Sequence, residues 1–171
     1  SHLTVTTGAQ TFNNDGTLNG LNDFAGDVLT INGGYESIGG KLAIDTFVQN
    51  AMSDTDRLEI NGEVEGTTTI YVNNLNTKGP GEYTGQGEDD GILIVSGDDL
   101  DASQFQLGVN NKTGQREVIS GAFAYHLAVG DDGARLQSDL LPTVPAYVAS
   151  TSVALRHSLA GSDTVYKRLG E

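Results

Sequence analysis

The sequence predicts an all-β fold in which short strands form stacked coils. Apolar pairs such as Leu42/Ile44 and Leu58/Ile60 alternate with polar residues, which is the period of a strand with one buried face. Turn residues such as Asn61-Gly62 separate the pairs, because Gly and Asn adopt turn conformations at little cost. The apolar segments follow one another too closely for strand–helix–strand units. Together these observations favour coils of two or three strands each.

The first zone, residues 3–76, is predicted to form the rungs of this stack. Stacked coils align aliphatic side chains in interior columns, and neighbouring backbones pair at about 4.8 Å. Several coils are needed before such a column excludes water. The side chains predicted to fill the interior are Leu42, Ile44, Leu58, Ile60, Ile70 and Val72.

The middle zone, residues 77–139, is predicted to close one end of the stack. Ile92–Val95 has the composition of a buried strand, and Phe123–Leu127 alternates. The turn at Gly130–Gly133 then predicts an antiparallel hairpin. An uncapped end would expose unpaired backbone groups, so we expect this hairpin to act as a cap. The cap residues are predicted to be Phe105, Leu107, Phe123, Tyr125, Leu127 and Leu136.

The last zone, residues 140–171, changes character at Pro142 and Pro145. Proline is common in the first turn of a helix. The segment 146–159 contains neither Gly nor Pro, and its apolar residues have roughly helical spacing. This composition predicts a linker followed by a short helix, which would be marginal on its own.

Composition excludes several classes of function. The net charge is −14, from 23 acidic and 9 basic residues, so the basic surface that nucleic acids or anionic lipids require is missing. The absence of Cys excludes disulfides and thiolate metal sites. The longest aliphatic run, Ile92–Val95, is far shorter than the roughly 20 residues of a membrane-spanning helix. We therefore expect that this segment neither spans a membrane nor binds nucleic acid.

The His residues and the acidic clusters are the candidate catalytic and metal-binding groups of this sequence. His126 alternates with strand residues, which favours surface or cap packing. The sequence has no G-x-S-x-G motif, the signature of one class of serine hydrolase. The acidic clusters Asp54/Asp56, Glu88–Asp90, Asp98–Asp101 and Asp131-Asp132 are interpreted as solvated turns. Calcium loops and the paired acids of polysaccharide-cleaving β-helices are the alternatives. We predict no enzymatic activity, no cofactor and no metal.

Several segments, in order along the chain, resemble one family. Asp27-VLTINGGY-Glu36 is similar to G-D-x-L-T-I-x-G-x-Y when Gly26 is included, and Gly39-GKLAID-Thr46 is similar to G-G-x-L-x-I-D. Asp56-RLEINGEVEGTTTIYVNN-Leu75 and Ser120-GAFAYHL-Ala128 are similar to later motifs of the same family. The chain resembles the C-terminal, pertactin-like end of the passenger of a type V autotransporter of Gram-negative bacteria.

The resemblance implies a right-handed single-stranded parallel β-helix with a C-terminal antiparallel hairpin cap. In the family this region is the autochaperone, a stable nucleus that folds first and supports secretion of the upstream passenger. The resemblance further implies a location at the cell surface, often with a role in virulence. It also implies that 140–171 leads into a helix threading the protein's own outer-membrane barrel. The partners would then be that barrel and the upstream passenger.

Two other functions stay open at the sequence level. An adhesion module would use the flat strand faces of a β-helix to contact a host surface or another copy. A polysaccharide-cleaving enzyme would need two close acids and a basic residue in a groove, and basic residues are scarce before Lys167.

Overall fold

The computed structural model describes residues 1–144, and these residues form an all-β fold, as predicted. The chain divides into two units, Ser1–Asp139 and Leu140–Glu171. The strands belong to the first unit, apart from the final residue of the last strand. The described residues end at position 144, so the predicted linker helix lies outside them.

Within residues 1–144, ten strands make up one mixed sheet. They are β1 His2–Asn14, β2 Thr17–Asn19, β3 Val28–Thr46, β4 Arg57–Ile60, β5 Val64–Asn74, β6 Ile92–Ser96, β7 Phe105–Leu107, β8 Val118–Ser120, β9 Phe123–Gly130 and β10 Gly133–Leu140. The order across the sheet is β7-β5-β3-β4-β6-β10-β9-β8, and β1 and β2 also pair with β3.

The N-terminal two thirds of the sheet is a stack of parallel coils. Coil 1 consists of β1 and β2, coil 2 is β3, coil 3 consists of β4 and β5, and coil 4 consists of β6 and β7. In each coil the chain returns to pair with the coil before it, as in His2↔Val28 and Val28↔Arg57. β4 then pairs with β6, and β5 pairs with β7, again in parallel.

The register places like side chains above one another in the interior. Leu18, Leu42, Ile70 and Leu107 are register partners through the four coils. Leu29, Leu58 and Val95 form a second such column. Because each column is continuous, the side chains of one coil are buried by the coils next to it. The stability of each coil therefore depends on its neighbours, as in other repeat proteins.

Glycine permits close contact where coil 2 lies against coil 3 at a corner. A Cβ at Gly62 would lie 2.3 Å from the carbonyl oxygen of Gly33, a distance that no side chain tolerates. Beside these glycines, the Asn61 side-chain amide donates to the Asn32 side-chain oxygen at 2.7 Å. The Asn-Gly turns therefore stack on one another because they combine a missing Cβ with a pairing amide.

An antiparallel part follows the coils. Two residues, Asp131 and Asp132, connect the neighbouring strands β9 and β10, which permits only an antiparallel hairpin. β10 pairs antiparallel with β6 from Gly133↔Ser96 onward, and β8 pairs antiparallel with β9. Coil 4 is thus joined to a hairpin instead of a fifth parallel coil.

Candidate functional site

The predicted interior residues lie on the coil strands. Leu42, Ile44, Leu58, Ile60 and Ile70 are buried, whereas Val72 is only partly buried. Tyr35 was not predicted, yet it is fully buried among them. Its hydroxyl contacts the Asn14 amide nitrogen at 2.9 Å and the Thr68 hydroxyl at 2.8 Å, so its burial leaves no unpaired polar group.

The predicted cap residues occupy two separate places. Phe105 and Leu107 are buried in β7, which is part of coil 4. Tyr125 and Leu136 are fully buried in the hairpin. The remaining two, Phe123 and Leu127, are partly buried against the core, and His126 between Tyr125 and Leu127 is exposed.

A buried polar cluster joins the hairpin region to the coils around one carbonyl group. The Val48 carbonyl accepts from the Ser120 hydroxyl at 2.8 Å and from the Asn76 side-chain amide at 2.9 Å. Asn76 also accepts from the Gly79 backbone N–H at 2.8 Å. The Val48 N–H in turn donates to the side chain of Asn74. These bonds link the loop after β3 to the ends of β5 and β8.

The Tyr125 hydroxyl provides a second link to the coils. It donates to the Gln49 carbonyl oxygen at 2.5 Å and accepts from the Glu82 backbone N–H at 3.0 Å. Burial raises the pKa of Tyr125, and the Glu82 charge adds to the rise while the Glu82 backbone hydrogen bond opposes it. The Tyr125 hydroxyl therefore stays protonated and can donate its hydrogen bond to the Gln49 carbonyl oxygen.

Ser138 on β10 makes a third link, to the loop between β5 and β6. Its backbone N–H donates to the Thr84 hydroxyl, and the Thr84 N–H donates to the Ser138 hydroxyl, both at 2.9 Å. The Ser138 hydroxyl donates further to the Glu82 carbonyl oxygen. Within residues 1–144, no buried side-chain nitrogen or oxygen lacks a partner. We call these linked residues the closing network: Val48, Asn76, Thr84, Ser120, Tyr125 and Ser138.

Two buried aspartates hold the connection between coil 1 and coil 2. Asp45 is fully buried and accepts from the backbone N–H groups of Asn22 and Asp23 at 2.7 and 2.8 Å, and from the Asn73 side chain. Burial opposes ionisation of Asp45, but these donors outweigh it and lower its pKa. The side chain is therefore a carboxylate that joins three coils.

Asp56 corrects one expectation from the sequence. The acidic clusters were interpreted as solvated turns, but the Asp56 side chain is only 3% exposed. It accepts from the backbone N–H groups of Gly26, Asp27 and Asp45 at 2.8–3.1 Å. In sequence, a buried acid at the start of a strand looks the same as an exposed acid in a turn. The two differ in whether N–H groups from other parts of the fold donate to the carboxylate, which a buried charge requires.

The opposite end of the stack is open. In coil 1, the apolar side chain of Leu3 is 64% exposed, and Phe24 in the following connection is 74% exposed. A cavity of about 390 Å³ lies beside Leu3 and is lined by Leu18, Leu29 and Leu42 among others. In the part of the chain that the structure describes, β1 pairs only with β3. One edge of β1 is therefore free to accept another strand.

The described residues contain no cluster of three or more His, Cys, Asp or Glu placed to hold a metal ion. Among these same residues, no helix is both long enough and apolar enough to cross a membrane.

The closing network was missed at the sequence level, although one signal was present. Three of the four residues in Asn73-Asn74-Leu75-Asn76, at the end of a predicted strand, carry side-chain amides. Amides at that position pair with nearby backbone groups: the Asn74 side chain accepts from the Asn76 N–H, and the Asn76 side chain accepts from the Gly79 N–H. Ser120 and Ser138 carried no comparable signal, because their partners are far away in sequence.

The fold is a stack of parallel coils that continues into an antiparallel hairpin, and apolar side chains such as Leu3 are exposed on coil 1. Residues 1–127 match the model of the family described as Autochaperone Domain Type 1. The chain belongs to this family, so the autotransporter resemblance drawn from the sequence is confirmed.

Two similar proteins whose names include autotransporter agree with this family assignment. The chain is 34% identical over 143 residues to the probable autotransporter YfaL of Escherichia coli K12, a match covering 82% of this chain and 11% of the relative. It is 30% identical over 164 residues to the adhesin BmaC autotransporter of Brucella suis biovar 1, covering 83% of this chain and 4% of the relative. The chain thus spans only a small part of these relatives.

Proposed function

We propose that this segment is the C-terminal folding nucleus of a longer autotransporter passenger, and that upstream chain folds onto its open end. The observation that carries the proposal is the contrast between the two ends. One end is held by the closing network, while the other exposes Leu3, Phe24 and the free edge of β1. A repeat stack grows from its most stable part to neighbouring repeats, so growth is expected from the open end.

The finer architecture belongs to the same proposal. The parallel registers His2↔Val28 and Val28↔Arg57 support a right-handed single-stranded parallel β-helix over residues 3–76. The hairpin pairing Gly133↔Ser96 supports a cap region over residues 77–139. Residues 140–171 are then a linker towards the barrel. The match to the autochaperone family covers residues 1–127, so it bears on the rungs and on most of the cap region.

The proposed cellular setting is that of an autotransporter. The proposed location is the surface of a Gram-negative bacterium, with the passenger exposed or secreted and a contribution to virulence. The proposed partners are the upstream passenger and the protein's own outer-membrane barrel. The segment serves secretion and folding and not catalysis. Relatives named as autotransporters support this setting.

The test uses the full-length natural protein displayed on cells, with Gly79–Ser138 deleted and the barrel retained. We expect the deleted form to reach the surface and its upstream passenger to be digested by added protease, because the closing network and hairpin are gone. The wild-type passenger should resist digestion. A deleted form whose upstream passenger stays as resistant as wild type would overturn the proposal.

Point substitutions separate the effect of losing cap contacts from the effect of shortening the chain by a deletion. The double substitution Phe123→Ser and Tyr125→Ser should reproduce the digestion, since it removes apolar contacts and buries polar groups, at a cost of several kcal/mol. The matched control is Tyr83→Ser, because Tyr83 is 61% exposed. That variant should remain as resistant as wild type.

Adhesion is the second candidate. It is favoured by polar side chains that follow the outer face of the coils, such as Thr4, Thr30 and Glu59 in register, and by a relative whose name includes adhesin. It becomes the leading function if the deletion leaves the passenger folded. A polysaccharide-cleaving enzyme has no comparable observation in its favour.

A further inference from the structure

We infer that Arg116 covers the free edge of β7 and thereby prevents two copies of the chain from associating through that edge. The inference goes beyond the proposed function, because it concerns association between copies and does not involve upstream chain. It rests on the direction of the backbone groups of β7 and on a side-chain hydrogen bond to one of them.

β7 is the strand of coil 4 that has a strand neighbour on one side only. In the part of the chain that the structure describes, β10 lies beside β6, the other strand of this coil, whereas β7 is at the edge of the sheet and pairs with β5. An edge strand presents backbone N–H and C=O groups with which another chain can pair. The edge of β7 is therefore the place in coil 4 where strand addition has to be prevented.

The hydrogen bonds to β5 show which backbone groups of β7 face the free edge. The Gln104 carbonyl accepts from the Thr68 N–H, and the Gly108 N–H donates to the Ile70 carbonyl, both at 2.8 Å. The backbone groups of successive residues in a strand point to opposite edges. Leu107 lies between residues that point towards β5, so its carbonyl points towards the free edge.

Arg116 occupies this outward carbonyl. Its guanidinium donates to the Leu107 carbonyl oxygen at 2.5 Å. The loop that carries Arg116 is held in shape by two backbone bonds, from the Asn110 N–H to the Gln115 carbonyl at 2.7 Å and from the Gly114 N–H to the Asn110 carbonyl at 2.8 Å. An added strand would have to displace the guanidinium before its own N–H could bond to this carbonyl.

β8, at the other edge of the sheet, has a similar but weaker arrangement. The Ile119 carbonyl of β8 accepts from the Asn74 side-chain amide at 3.4 Å. The bond from Arg116 is shorter and its donor is charged, and charge-assisted hydrogen bonds are about twice as strong as neutral ones. Arg116 is therefore the residue whose removal should have the larger effect.

A second copy of the chain is the occupant that this edge fits. Two identical edges can pair around a two-fold axis, so that β7 of one copy bonds to β7 of the other. β7 contains only three residues, so few backbone bonds can form between two copies. Breaking one charged hydrogen bond in each copy then removes a large part of the gain from pairing.

The test compares Arg116→Ala with Lys112→Ala, which removes an exposed positive charge from the same loop. Both substitutions make the net charge of −14 more negative by one unit, so they add equally to the repulsion between copies. We expect sedimentation to show association of the 1–171 segment at a concentration about tenfold lower for Arg116→Ala than for wild type, the size expected for one charged hydrogen bond. Lys112→Ala should behave as wild type.

Hydrogen exchange locates the contact between copies. The amides of residues 105–107 should exchange more slowly in a concentrated, associated sample of Arg116→Ala than in a dilute one. Because Arg116 is exposed, the variant should fold as wild type does, and its melting temperature at low concentration checks this.

Three results would overturn the inference. If Arg116→Ala associates no more than wild type, Arg116 does not cover the edge, and a lower melting temperature of the variant would show that it only stabilises its own loop. If Lys112→Ala associates as strongly as Arg116→Ala, the charge of the loop and not the bond to Leu107 keeps the copies apart. If the amides that slow on association belong to β1 and not to β7, the copies meet through coil 1.

Discussion

Tyr125 shows how a single polar atom joins distant parts of this chain. Its hydroxyl group contacts the Gln49 carbonyl, 76 positions earlier, and the backbone of Glu82. The ring is fully buried in the hairpin, so removing the hydroxyl leaves a carbonyl and an N–H without their partner. A buried group left unsatisfied costs about 1–3 kcal/mol.

We therefore expect Tyr125→Phe to lower the free energy of unfolding of the 1–171 segment by about 1–3 kcal/mol. Urea unfolding at neutral pH measures this change. Tyr83→Phe is the matched control, because Tyr83 is largely exposed, and its midpoint should not move. Equal midpoints for Tyr125→Phe and wild type would show that water replaces the hydroxyl, and that the closing network does not depend on it.

The aliphatic interior was predictable at the residue scale, whereas the buried polar residues were not. Leu42 and Ile70 follow from periodicity, because alternation alone decides which face of a strand is apolar. Asp45 and Asn76 are buried only because backbone groups from other coils satisfy them. Those partners are set by the register of the stack, which local sequence does not contain.

At the scale of elements, the Asn-Gly corners determine how closely coil 2 and coil 3 approach. Gly62 lies directly against the backbone of Gly33, so an added methyl group would separate the coils between β4 and β5. We expect Gly62→Ala to destabilise the 1–171 segment by about 1–3 kcal/mol, the usual cost of overpacking.

Gly16→Ala is the control for this substitution, because a Cβ at Gly16 would meet no atom within 4 Å. Thermal unfolding of both variants measures the difference between them. Gly62→Ala melting at the same temperature as Gly16→Ala would mean that the corner relaxes, and that the close approach of the two coils does not limit stability.

Strands and the hairpin were predictable as elements, but the sheet order was not. The turn at Asp131-Asp132 predicted that β9 and β10 are adjacent. That β10 would lie beside β6, and β6 beside β4, depends on contacts across long loops. The loop between β5 and β6 is held by hydrogen bonds such as those between Thr84 and Ser138. Hydrophobic periodicity in the sequence does not predict bonds of this kind.

For the whole molecule, the contrast between the two ends predicts a gradient of local stability. Strands β4 and β6 each lie between two neighbours in the sheet. In the described residues β1 pairs on one side only, and its register breaks between Thr6 and Thr11. Local opening costs least where few contacts must be lost, so the chain should open from coil 1.

Hydrogen exchange of the 1–171 segment, followed by mass spectrometry at neutral pH, measures this gradient. We expect amides of β1 to exchange fastest and amides of β4 and β6 slowest, because each coil is stabilised mainly by its neighbours. The substitutions Phe123→Ser and Tyr125→Ser should accelerate exchange in β6 and β10, since they loosen the end that holds them. Tyr83→Ser should leave the pattern unchanged. If β1 proved as protected as β6 in wild type, the open end would already be stable by itself, and growth of the passenger from it would lose its physical basis.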